Sequence, residues 1–170
     1  MFLHYTTFRK GPNVLWHLQN GVLDPLNPKV WFLLIGTNDL FESECTDRFV
    51  IADILNVLKY IHMQRPEAQF IVHGILPRVD RGKKTQYLGK YWKRIQSINA
   101  VLKRFCETHQ SLHYMQAGSV FLVDKDEMRG RKSIDPDLLG DGLHPTPKGL
   151  EVWGKEIIKM VDRTISEAKK

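Results

Sequence analysis

Lys29-Val30-Trp31-Phe32-Leu33-Leu34-Ile35-Gly36-Thr37-Asn38-Asp39 is the stretch whose reading decides the fold. From Val30 to Ile35 it is apolar without a break. A strand with one wet face alternates apolar and polar residues, whereas an unbroken run fits a strand covered on both faces, as in a parallel sheet between helices. The spacing predicts a strand over residues 29–36. The polar residues that follow predict a turn at its carboxyl end.

Outward from this strand, residues 68–76 read as a second one, closed by Pro77, and residues 111–116 as a weaker third. Helical spacing of apolar residues separates them: Val50, Ile54, Val57, Leu58 and Ile61, then Tyr91, Ile95, Ile98, Leu102 and Phe105. A last stripe joins Leu150, Trp153, Ile157, Met160, Val161 and Ile165. Each stripe reads as the core-facing side of an amphipathic helix. A shorter helix is expected over residues 12–20, ended by Gly21. The order helix, strand, helix, strand, helix, strand, loop, helix predicts an α/β domain with a mainly parallel sheet and right-handed crossovers. In such sheets, sites lie at the carboxyl ends of the strands.

Composition supports this class. The 170 residues are 42% hydrophobic and 26% charged, which excludes a disordered or collagen-like chain, and no linker or repeat divides them. One domain over residues 1–170 is expected. No apolar run has the roughly 18 residues of a membrane span. Two cysteines, Cys45 and Cys106, are too few for a disulfide scaffold or a Cys-rich zinc site. The histidines show no metal-ligand spacing, so neither metal nor cofactor is expected. The first ten residues make a poor secretory signal, and the expected location is cytoplasmic. Arg78, Arg81, Lys83, Lys84, Lys90, Lys93 and Arg94 cluster with Tyr87, Tyr91 and Trp92, opposed only by Asp80. Such a cluster can bind single-stranded nucleic acid, but a net charge of +6 is modest, and a solvated loop entering a helix is the preferred reading. The same loop follows a strand end, which makes it a candidate rim for a substrate pocket.

Two strand-end segments carry chemistry. In Gly36-Thr37-Asn38-Asp39, Gly36 permits a tight turn, Asn38 offers an amide to an oxyanion, and Asp39 can brace the turn. In Gly140-Asp141-Gly142-Leu143-His144-Pro145-Thr146-Pro147, Thr146 suits a helix N-cap and Pro147 its first position. His144 therefore sits just before a helix start. Asp141, three residues earlier, is placed to accept from one ring nitrogen and leave the other as a base.

These residues resemble the SGNH (GDSL-type) hydrolases, and within that superfamily the platelet-activating-factor acetylhydrolase catalytic subunits. The likeness rests on Asn13-Val14-Leu15-Trp16-His17-Leu18-Gln19-Asn20-Gly21, on the Pro28 to Asp39 run, on Gly74-Ile75-Leu76-Pro77-Arg78 and on Asp141-Gly142-Leu143-His144. It implies a three-layer α/β/α, flavodoxin-like domain that hydrolyses small acyl esters with a nucleophilic serine, and a homodimer like that of the resembled subunits. By motif match His144 would be the base and Asp141 its orienter. Asn38 would donate to the oxyanion hole, with Gly36 a second candidate there, and Arg78 and Asp39 are candidates for the substrate loop.

The family's Gly-Asp-Ser block is absent from the 170 residues. The Gly of its second block has no counterpart either, since Thr7-Phe8-Arg9-Lys10 stands where it should fall. Ser97 and Ser166 fall in helical stripes, Ser111 opens a strand, and Ser43 suits a helix cap. Ser119 and Ser133 are conceivable substitutes, though neither sits in a strand-to-helix elbow, and Cys45 is as weak a candidate that reads better as a small packing residue. The preferred expectation is an esterase domain lacking its N-terminal strand and helix and hence its nucleophile. The alternative is a catalytically inactive binding module on the same fold. In a flavodoxin-like order the strand at residues 30–35 would then lose a neighbour.

Overall fold

A computed structural model describes residues 11–41, 46–80, 88–126 and 131–168. Its sheet is built from β1 (Val30–Leu33), β2 (Gln69–His73) and β3 (Leu112–Met115), in the order β1-β2-β3 and parallel throughout. The strands are shorter than the apolar runs suggested. Gly36, at φ 103, turns the chain off the sheet after β1. Beyond β2, pairing passes to a side chain: the Ile75 N–H donates to Asn99 Oδ1 at 2.8 Å, and Asn99 Nδ2 donates to Ile75 O at 3.0 Å. The buried amide stands in for a strand neighbour.

Register assigns the two faces. Trp31 pairs with Phe70 and Leu33 with Val72, and these four pack under α1 (Gly11–His17), α2 (Asp47–Gln64) and α3 (Lys90–Glu107). Phe32 pairs with Ile71 on the other face and packs under α4 (Pro147–Glu167) with Met115, Trp153 and Ile157. The result is α/β/α layering with apolar strands covered on both sides, as the unbroken run demanded. Each fully buried large side chain contributes about 1.5–3 kcal/mol. Along β1, the edge away from β2 has no strand partner among the described residues.

The first helix keeps close to its expected end: after a widened last turn from Leu18, helical geometry fails at Asn20 (φ −109, ψ 45) and at Gly21, whose φ of 93 closes it. Two local expectations are corrected. Along α4, Leu150 and Ile165 are exposed, whereas Trp153 and Ile157 are buried. A 21-residue helix of roughly 30 Å outruns four-residue strands of roughly 13 Å, so only its middle meets the sheet. Finally, residues read as loop contain an antiparallel hairpin, β4 (Leu122–Asp126) with β5 (Arg131–Ile134). Its short charged strands show no apolar period. It seats Ile134 in the α4-side core and leads the chain to the 140–144 loop.

Candidate active site

The 140–144 loop is held from both sides. Ahead of it, the Leu138 and Leu139 N–H groups donate to Asp135 O at 3.1 and 2.9 Å, and the Gly142 N–H to Leu139 O at 2.9 Å. Behind it, Thr146 caps α4: its hydroxyl accepts from the Gly149 N–H at 3.1 Å and donates to Asp137 O at 2.5 Å. Pro147 takes the first helical position. The cap read from the sequence is present and fixes where His144 leaves the loop.

Inside this frame both oxygens of the Asp141 carboxylate are engaged. One oxygen, Oδ1, accepts from the Leu143 and His144 N–H groups at 2.9 and 2.7 Å, and Oδ2 lies 2.7 Å from His144 Nδ1. Partial burial pushes the Asp141 carboxyl up, but the three hydrogen bonds from His144 and Leu143 outweigh it and hold the group below its usual range. An acceptor-only carboxylate makes Nδ1 the protonated nitrogen. That leaves Nε2, which has no partner among the described residues, with its lone pair free to accept a proton. The side chains are 61% and 56% exposed, so the pair contributes orientation more than stability.

The other motif turn lies after β1. Gly36 is buried, and a Cβ there would stand 2.9 Å from Ile54 Cδ1 and 3.0 Å from Ile75 Cδ1. Asn38 is half-buried, and its carboxamide makes no hydrogen bond among the described residues. Arg94 Nη1 donates to Leu40 O at 3.1 Å and Arg94 Nε to Asp47 Oδ1 at 2.6 Å, anchoring the end of this turn to α2 and α3.

Arg78 and Asp39, expected on a substrate rim, are each 2% exposed. Arg78 is turned inward: Nη1 donates to Thr37 O at 2.8 Å and to Thr37 Oγ1 at 3.0 Å, and its guanidinium lies 5.6 Å from the centre of the Tyr91 ring. Burial lowers its pKa to about 10 against the opposing pull of Tyr91, Asp141 and Asp80, so it remains a cation at neutral pH. Asp80, read only as a lone acid among bases, accepts from the Lys90 and Tyr91 N–H groups at 3.1 and 3.2 Å and caps α3. Arg81, Lys83, Lys84 and Tyr87 of the basic cluster lie outside the described residues, as do Ser43, Cys45 and the segment 7–10.

None of the described serines bonds to His144. Ser133 is buried in β5 without a hydrogen-bond partner among the described residues. Ser119 lines a cavity of about 310 Å³ with Tyr114, Met115, Gln116 and Met160, and none of Gly36, Asn38, Asp141 or His144 lines it. Ser97 is exposed on α3, and Ser166 donates to Asp162 O at 2.8 Å. Sequence reasoning missed Thr37 and Val79 as supports of the site. Thr37 stands within the motif turn, but nothing in the linear order joins it to Arg78.

The family model for GDSL-like lipases and acylhydrolases matches residues 5–152. The chain belongs to that family. Within this GDSL-like family it is similar to human platelet-activating factor acetylhydrolase IB subunit alpha1, 26% identical over 124 residues, which cover 71% of this chain and 50% of the relative. It is 38% identical over 83 residues to the rat alpha2 subunit, covering 46% of this chain and 35% of the relative. The chain thus spans half or less of the length of these curated relatives. Its fold is similar to that of a GDSL-like lipase from Bacteroides thetaiotaomicron (TM-score 0.73, 17% identity, 91% of this chain and 72% of that one). It also resembles a carbohydrate esterase family 3 structure from Talaromyces cellulolyticus (TM-score 0.57, 19% identity, 91% and 65%). The three-layer arrangement and the family expected from the motifs are therefore those of this GDSL-like acylhydrolase domain.

Proposed function

We propose that this GDSL-like domain supplies the Asp–His half of a serine acyl-ester hydrolase, and that the nucleophile comes from polypeptide outside these 170 residues. The 2.7 Å contact between Asp141 Oδ2 and His144 Nδ1, with Nε2 left open, carries the reading. In this mechanism Nε2 takes the serine proton as the hydroxyl attacks an acyl carbonyl. The Asn38 carboxamide donates to the oxyanion of the tetrahedral intermediate. The imidazolium then protonates the leaving alcohol. Water, deprotonated by the same nitrogen, then attacks the acyl-enzyme, and the imidazolium returns that proton to the departing serine oxygen as the acid is released. Asp141 holds the tautomer and stabilises the imidazolium. Small acyl esters are the substrate class, and a homodimer is the assembly, both following the resemblance.

The absence of a serine bonded to His144 among the described residues follows equally from the competing reading, an inactive binding module, and one experiment separates the two. A fluorophosphonate probe is applied to the 170-residue chain and to any longer product of the same reading frame, with peptide mapping and His144→Ala as control. Labelling of a serine preceding Met1 that is lost in the control is the expected result. No labelling in a folded longer product leaves the binding module. A labelled serine inside the 170 residues overturns the missing-nucleophile reading and names its replacement.

A further inference from the structure

The two motif turns come from opposite ends of the chain, yet both are tied to consecutive residues after β2. Arg78 donates twice to Thr37, the neighbour of Asn38. The Val79 N–H donates to Gly142 O at 3.0 Å, between Asp141 and His144. Gly142 has φ 73, and a Cβ there would come within 2.6 Å of Val79 Cγ2, so the approach is close enough to require glycine. The segment has little freedom: Pro77 fixes its own backbone, and Asp80 is occupied in capping α3. A guanidinium buried to 2% exposure loses much hydration, which is sustained only where its hydrogen bonds are specific.

We infer that Arg78 and Val79 form a positioning dipeptide, which sets the distance and orientation between the Asn38 carboxamide and the Asp141–His144 pair by holding one turn with a side chain and the other with a backbone N–H. Arg78 is then a positioning residue acting through Thr37, not a group that meets substrate. The catalytic meaning of that spacing rests on the esterase reading, but the tie itself does not. Arginine suits the role because one nitrogen of its rigid fork satisfies the Thr37 carbonyl and hydroxyl together, which a flexible ammonium does less well.

The test uses amide residual dipolar couplings of the ¹⁵N-labelled 170-residue chain. In Arg78→Met the couplings of Thr37 and Asn38 depart from wild type while those of residues 141–144 hold. In Gly142→Ala the pattern reverses. Arg78→Lys restores the Thr37 and Asn38 couplings in part. Ile157→Val, a core control, lowers the melting temperature without moving either set. If Arg78→Met fails to fold, Arg78→Lys and Gly142→Ala decide alone. Wild-type couplings at Thr37 and Asn38 in the Arg78 variants, or equal displacement of both turns in every variant, overturn the proposal. In a nucleophile-bearing form, Arg78→Lys lowers kcat on the order of tenfold at unchanged KM. If no such form hydrolyses esters, the esterase reading fails while the couplings still decide the tie.

Discussion

At the scale of single residues, the site depends on two backbone positions as much as on its polar groups. Gly36 combines a positive φ with side chains on three sides, from Ile54, Ile75 and Val50. Gly36→Ala is therefore expected to destabilise by about 1–3 kcal/mol, from backbone strain plus crowding, read as a lower midpoint in urea unfolding. Asp141 illustrates the other dependence. Asp141→Asn keeps the size of the side chain but can present an NH2 where the carboxylate accepted, and the imidazole is then no longer held with its proton on Nδ1. The Nδ1-protonated form of His144 should lose its dominance in ¹⁵N imidazole spectra, and an unchanged tautomer would show that the loop alone orients the ring. Both segments were legible in the sequence as strand-end turns, because Gly permits a tight turn and Asn and Asp brace one. The roles of Thr37 and Val79 were not, because they are backbone and packing roles that any residue list hides.

Among the secondary elements, ends and edges decide stability. The α4 cap by Thr146 was readable from Thr-Pro ahead of an apolar stripe, and Thr146→Ala should cost about 1 kcal/mol in urea unfolding, with fraying of the first turn of α4. The extension of β2 by Asn99 was not readable, since a helical Asn carries no signal that it faces a strand. Removing that amide leaves the Ile75 N–H and C=O unpaired inside the protein. Asn99→Ala is therefore the costlier change, about 2–4 kcal/mol, and should raise hydrogen exchange at Ile75 ahead of its neighbours. The hairpin β4–β5 escaped the sequence reading for a related reason: its pairing, not its pattern, makes it a strand pair.

For the whole molecule, a buried side-chain hydrogen bond adds to the apolar packing that joins the sheet to the last helix. His73 at the end of β2 accepts from Trp153 Nε1 at 3.1 Å on α4, and its Nδ1 lies 2.5 Å from Gly74 O. Indole only donates, so Nε2 is the bare nitrogen and the ring is neutral. Burial lowers the His73 pKa to about 4, despite the Gly74 carbonyl favouring the charged form. The unfolded chain, near 6.5, binds this proton first, so the stabilisation is complete above pH 6.5 and is lost as pH falls toward 4. The loss amounts to about 3 kcal/mol. Urea midpoints should fall over that window, and His73→Phe should flatten the His73 part of the slope. An unchanged slope in that variant would place the acid sensitivity elsewhere.

The sequence by itself determined the α/β class, the covered parallel strand, the family and the Asp141–His144 pair, because each is a local pattern: apolar period, turn chemistry, or a partner three residues away. Only the tertiary structure decided what surrounds them. It turned Arg78 and Asp39 inward, made Asp80 a cap, and brought the Asn38 turn and the His144 loop to the same dipeptide. The physical reason is that burial and hydrogen-bond partners are set by which elements pack together, and a charged side chain reads the same in a sequence whether its partner is water or a carbonyl forty residues away.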